Sequence, residues 1–85
     1  MTIQSHKVFK KQFDKLTSSQ KRKFEERVRI LLQDEFSPIL NNHVLKGEYQ
    51  GYRSINIGGD IRAIYRKGSD VIFFAKIGSH SKLYG

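Results

Sequence analysis

The 85-residue chain has no cysteine, so it can build neither a disulfide framework nor a thiolate-ligated zinc site. That fits a reducing cytosol. Its hydrophobic residues make up 38% of the chain and never gather into the roughly 20 apolar residues of a membrane span. The opening MTIQSHKVFKK lacks the apolar segment of a secretory signal. No membrane partner is expected, and the expected compartment is the cytoplasm. Acidic residues are scarce as well: eight Asp and Glu face sixteen Lys and Arg, for a net charge of +8. Residues 1–43 and 44–85 carry +4 each, so the excess covers the whole chain and is not confined to a tail. A folded surface of that sign attracts polyanions, RNA or DNA first.

A chain this short holds one core, so residues 1–85 are expected to form a single domain. Six Phe and four Tyr supply much of what that core can bury. Thr2 to Gln4 reads as a short strand. Ser5 is placed to cap a helix in which Phe9, Phe13 and Leu16 form one stripe, opposite Lys7, Lys10, Lys11 and Lys15. Thr17 and Gln20 have capping-box spacing and predict a second helix, with Phe24, Val28, Leu31 and Leu32 as its apolar stripe. Ser37-Pro38 should close it, because the residue before proline avoids helical geometry.

The stretch from Pro38 to Gly51 reads as loop. Strands are predicted over 52–57, 61–67 and 71–77, joined by Gly58-Gly59-Asp60 and Gly68-Ser69-Asp70. The last strand is apolar on both faces and should lie inside the sheet. The expected fold is α+β: a two-helix hairpin on one face of a curved, mainly antiparallel sheet, with a concave and partly basic opposite face.

Of the three histidines, His6 reads as a surface residue beside lysines. His43 lies in the loop before the sheet, and His80 lies just past the last strand. No pair has the spacing of a helical metal site, and no glycine run forms a phosphate loop, so neither metal nor other cofactor is expected. What remains is acid–base chemistry with cationic support. RNA breaks when its 2′-hydroxyl attacks the adjacent phosphate. A protein speeds that step with a base, an acid, and cations for the extra charge on the phosphorane. Histidine suits the proton transfers. Lys46, Arg53, Arg62, Arg66 and Lys76 supply cations on or beside the strands, and Tyr84 can stack on a base. Spacing alone leaves a small RNA- or DNA-binding module as an equal reading.

The second half resembles a family. His-x-Leu-x-Gly at His43 to Gly47, Gly-Tyr-Arg at Gly51 to Arg53, Asp60, Ile-Tyr-Arg at Ile64 to Arg66 and the closing IGSHSKLYG follow in the order of RelE-type toxins, closest to the YafQ branch. The resemblance implies a RelE-like fold and the toxin of a type II toxin–antitoxin pair. It implies a ribosome-dependent endoribonuclease that cuts mRNA without a metal. Its partners would be a cognate antitoxin, the ribosome and mRNA, with operator DNA reached only through the antitoxin complex.

Carried over by position, the resemblance makes His80 the general acid and His43 or Asp60 the base or its orienter. Lys76 and Arg62 would stabilise the phosphorane, Lys46 and Arg53 would position phosphates, and Tyr84 would stack. Lys76 stands where the branch has an arginine, Asn56 where it has another functional histidine, and Ile61 where it has an aromatic. A ParE-like gyrase poison and a non-catalytic antitoxin- or nucleic-acid-binding module are the alternatives. His80 argues against the first, because ParE-like relatives generally lack that histidine. In the closing GSHSKLYG, Gly78 should let the chain leave the strand, and Leu83 should anchor the tail so that Tyr84 is held at the site.

Overall fold

The computed structural model describes residues 1–84. Two helices pack on one face of a five-stranded sheet, and a third, short helix closes the chain. In chain order the elements are β1 (Thr2–Ser5), α1 (Lys7–Asp14), α2 (Ser18–Gln33), β2 (His43–Val44), β3 (Arg53–Gly58), β4 (Ile61–Lys67), β5 (Val71–Ser79) and α3 (His80–Tyr84). Short 3-10 turns fill Pro38–Leu40 and Gly47–Tyr49. The sheet order is β1-β5-β4-β3-β2. Among the described residues only the β1–β5 pair is parallel, so the fold is α+β and mainly antiparallel, as expected. Among the described residues, no helix is long and apolar enough to cross a membrane.

Local chemistry accounts for the helix starts. Thr17 and Gln20 form the full capping box: Thr17 Oγ1 accepts from the Gln20 amide at 3.1 Å, and Gln20 Oε1 accepts from the Thr17 amide at 2.9 Å. The first helix is capped one residue later than predicted. Ser5 is drawn into β1 opposite Phe74, so His6 becomes the cap, its Nδ1 accepting from the Val8 amide at 3.0 Å. The second helix ends at Gln33, short of Ser37-Pro38. Beyond it, Glu35 turns inward to meet Tyr65 and Lys67, a long-range demand that periodicity does not report.

Phe9 and Phe24, from the two helices, meet Phe74 of β5 with ring centroids 5.5 and 5.1 Å apart. Ile55, Ile57, Ala63, Tyr65, Ile72 and Ile77 complete the core from the sheet. Burying one such large side chain contributes about 1.5–3 kcal/mol. Leu32, predicted in the apolar stripe, is 45% exposed, and Arg27 is buried in that helix instead. Arg27 Nη1 donates to the Ile39 carbonyl at 3.3 Å and ties the Pro38–Leu40 turn to the helix.

The strand β5 lies between β1 and β4, which explains its two apolar faces. It runs on through Gly78, which pairs with Arg62, to Ser79. Gly78 is therefore not the exit from the strand. The chain turns at Ser79 into α3, where Leu83 is buried as the expected anchor.

Registers set the open face of the sheet in rows. Asn56, Arg62 and Gly78 form one row, and Ser54, Ile64 and Lys76 form the next. Bulges at Ile57 and Ala75 shift the pairing beside these rows.

Candidate active site on the open face of the sheet

Arg62 is the most constrained cation on that face. Its Nε donates to Ser54 Oγ at 2.6 Å, and its Nη2 donates to the Asn41 carbonyl at 2.9 Å. Two of its five N–H groups are thus committed to fixing the guanidinium, leaving donors for a bound anion. Burial lowers the guanidinium from its ordinary value, and the nearby Tyr84 hydroxyl pushes the other way by favouring the charged form.

His43 sits against the same groups. Its Nδ1 is 3.1 Å from the Asn41 carbonyl and 3.4 Å from Arg62 Nη2. The shorter of the two contacts, to the Asn41 carbonyl, is met if Nδ1 carries the proton: Nδ1 and Arg62 Nη2 then both donate to that carbonyl, and their own 3.4 Å approach is a contact of two donors rather than a hydrogen bond. The neutral ring then keeps Nε2 as its proton acceptor. Asn41 presents that carbonyl from a left-handed backbone, with φ 44°.

The next residue explains why the loop holds still. Asn42 Nδ2 donates to Tyr65 Oη at 2.8 Å and to the Glu35 carbonyl at 3.0 Å, and Asn42 Oδ1 accepts from Arg53 Nε at 2.7 Å. Tyr65 Oη donates in turn to Glu35 Oε2 at 2.8 Å. Burial, with the Glu35 carboxylate adding to it, pushes Tyr65 up to about 12 against the opposing Asn42 donor. Partial burial pushes Glu35 upward, but hydrogen bonds from Tyr65 and Lys67 carry it below its ordinary value.

This network sits behind the sheet and takes Arg53 with it. Arg53 pairs with core-facing Tyr65 and lies 5.1 Å from the Phe36 ring, away from Arg62 and Lys76.

His80 is exposed at the first position of α3. Its amide donates to the Asp60 carbonyl at 3.1 Å, and its ring stands 4.8 Å from that of Tyr84, one helical turn on. The Tyr84 ring also meets Tyr49 edge-on at 6.4 Å. Its hydroxyl is buried without a hydrogen-bond partner, near but not bonded to Arg62. Tyr84 thus links the His80 ring to the Arg62 end of the face. Lys76, one row below Arg62, donates from Nζ to Tyr49 Oη at 2.7 Å.

The structure therefore gathers His43, Arg62, Tyr84, His80 and Lys76 around one end of the open face. Asp60 is there through its main chain, while its side chain is exposed in the turn. Asn56 faces Arg62 across the strands, and its Oδ1 accepts from the Gly58 amide at 3.1 Å. Arg66 lies farther down the same face. Lys46 is exposed ahead of the Gly47–Tyr49 turn. Among the described residues, no three His, Asp or Glu side chains come together as a metal site.

Sequence motifs do not single out Ser54, Asn41, Asn42 or Tyr49, which hold the candidate side chains in place. Ser54 could have been found from strand parity, since it shares a face with Asn56 and alternates with the core residues Ile55 and Ile57. The loop asparagines and Tyr49 carry no such signal.

The sequence model of the YafQ bacterial toxins of type II toxin–antitoxin systems matches residues 1–85. Among solved structures, the chain is similar to YafQ from E. coli strain BL21(DE3), with 22% identity over 98% of this chain and 97% of that one, at a TM-score of 0.79. It is similar to a YoeB/ParE toxin from Agrobacterium tumefaciens, with 20% identity over 94% and 99% of the two chains, at 0.81. A chain in the E. coli DinJ–YafQ complex is 20% identical over 98% and 97%, at 0.78. No curated protein sequence matches the chain.

Proposed function

Because this chain belongs to the YafQ family of bacterial type II toxins, we propose that it is an endoribonuclease that cuts mRNA on the ribosome by acid–base attack of the 2′-hydroxyl. The observation that carries this reading is the convergence of two histidines on a fixed arginine: His43 touches Arg62, and His80 reaches the Arg62 end through Tyr84. His43, with Nδ1 committed to Asn41, takes the 2′-hydroxyl proton on Nε2. The oxygen attacks the adjacent phosphorus, and charge builds on the phosphoryl oxygens. Arg62, already oriented by Ser54 and Asn41, meets that charge without reorganising, and Lys76 adds a second cation. The P–O5′ bond breaks, and His80, exposed at the mouth of the site, gives its proton to the departing oxygen. The products are a 2′,3′-cyclic phosphate and a 5′-hydroxyl. No step calls for a metal.

The partner implied by this reading is an antitoxin, as in the DinJ–YafQ complex. A segment of acidic character would complement the +8 charge and cover the open face.

The test is His80→Ala in a translating extract. The variant should keep the wild-type fold by circular dichroism while mRNA cutting falls by about 100-fold or more. Full cutting by a folded His80→Ala chain would remove His80 from the mechanism. Intact mRNA with the wild-type chain, together with blocked supercoiling by purified gyrase, would replace the reading with a gyrase poison.

A further inference from the structure

A third row of side chains crosses the open face below Lys76. Arg66 of β4 pairs directly with Phe73 of β5, so the two side chains stand together on that face. The Arg66 guanidinium lies 5.4 Å from the Phe73 ring centre and 5.4 Å from that of Tyr52, which immediately precedes β3. Above this row, Phe73, Tyr52, Tyr49 and His6 line a concavity that also reaches Lys76 and one carboxylate, Glu48. None of these rings belongs to the helix-side core. They meet one another edge-on: Tyr49 and Tyr52 at 80°, His6 and Phe73 at 89°. Single exposed aromatics are ordinary surface. Four rings around one hollow, flanked by Arg66 and Lys76, form a site for something flat, apolar-faced and joined to negative charge.

We propose that this hollow is a nucleobase subsite, which seats an unstacked base of single-stranded RNA from a nucleotide next to the one being cut. The proposal rests on the ribonuclease reading and adds a second contact point to it. Two arguments select RNA over a peptide. The hollow is continuous with the candidate centre through Lys76 and Tyr49, the latter in contact with Tyr84. Arg66 and Lys76 together outweigh the single Glu48 carboxylate beside the hollow, and the two cations suit the phosphates on either side of the base. The spacing supports a neighbouring nucleotide. Arg66 lies four residues along β4 from Arg62, about 13 Å at strand rise, too far for one nucleotide to hold both its base at Phe73 and its phosphate at Arg62.

The experiment measures binding, not cutting. Short 2′-fluoro oligoribonucleotides, which lack the attacking hydroxyl, are titrated into the wild-type protein at low salt, with one base at a time replaced by an abasic sugar. One position should lose about tenfold in affinity when its base is removed. In Phe73→Leu, which keeps apolar bulk but loses the ring, and in Tyr52→Ala, the intact and abasic oligonucleotides should bind alike. The absence of an abasic penalty at every position in the wild type overturns the proposal and leaves the hollow to a peptide. An undiminished penalty in folded Phe73→Leu overturns it too. The two readings fail separately. A base effect without mRNA cutting keeps the subsite and removes the ribonuclease, and cutting without a base effect does the reverse.

Discussion

The amide of His80 donates to the carbonyl of Asp60 at 3.1 Å, so the turn between β3 and β4 fixes the first residue of the closing helix. Asp60 contributes this through its main chain, which any side chain at the position retains. Both side chains are exposed, but the His43 ring is held with Nδ1 3.1 Å from the Asn41 carbonyl, whereas no hydrogen bond holds the Asp60 carboxylate among the described residues.

The two candidate bases are therefore expected to separate. Asp60→Asn should lose less than about tenfold in the cleavage rate, and His43→Gln about 100-fold or more, as general-base removal does. Single-turnover cleavage on programmed ribosomes measures both. A larger loss for Asp60→Asn than for His43→Gln would transfer the base to the aspartate.

Lys76 is oriented by one bond, from Nζ to Tyr49 Oη. Lys76→Met should reduce the rate by about 100-fold with little change in KM, since the charge is needed as the phosphorane forms. Lys76→Arg should keep most of the activity, because arginine retains the charge and adds a fork that suits phosphate. Equal losses in the two variants would mean that the ammonium acts through Tyr49 and not on the phosphate.

The Tyr65 network makes a prediction about pH. Tyr65 ionises near 10 in an unfolded chain and at about 12 in the folded one. Above pH 10 the unfolded state therefore sheds a proton that the folded state keeps. The stability from this group is fully present below pH 10 and is lost as pH rises toward 12, by on the order of 2 kcal/mol. Glu35 acts at the other end. Its folded value is lowered, so its contribution is present above the ordinary carboxylate range and is lost in acid. Tyr65→Phe should cost about 1–3 kcal/mol at pH 7, because Asn42 and Glu35 lose a buried partner. Its denaturant midpoint should no longer fall between pH 10 and 12. A wild-type midpoint that stays flat across that window would contradict the assignment.

Much of the architecture could be read from local pattern. The capping box, the apolar stripes and the glycine turns each involve residues within a few positions of one another. They placed both helices and the three long strands, with β4 at the predicted residues. Local pattern failed where a distant group competed. Ser5 lost its cap role because Phe74 pairs with it in a sheet, and α2 stopped early because Glu35 is needed at Tyr65. β2 has only two residues, and its pairing with β3 leaves no periodic trace.

The candidate site divides in the same way. Sequence by itself supplied the chemistry: the histidines, the basic excess, and the family order of His43, Asp60 and His80. Strand parity also held the position of Arg53, which shares its side of β3 with Ile55 and Ile57 and so faces the network behind the sheet. Only the tertiary structure decided which groups meet. Arg62, Ser54, Asn41 and His43 come from three separate segments, and their contact depends on sheet register and on a loop held by Asn42. Residue type is a local property that a sequence states outright. Distance between residues remote in the chain is set by the packing of the whole fold, and that packing brings the Tyr84 ring to His80 and its hydroxyl near Arg62.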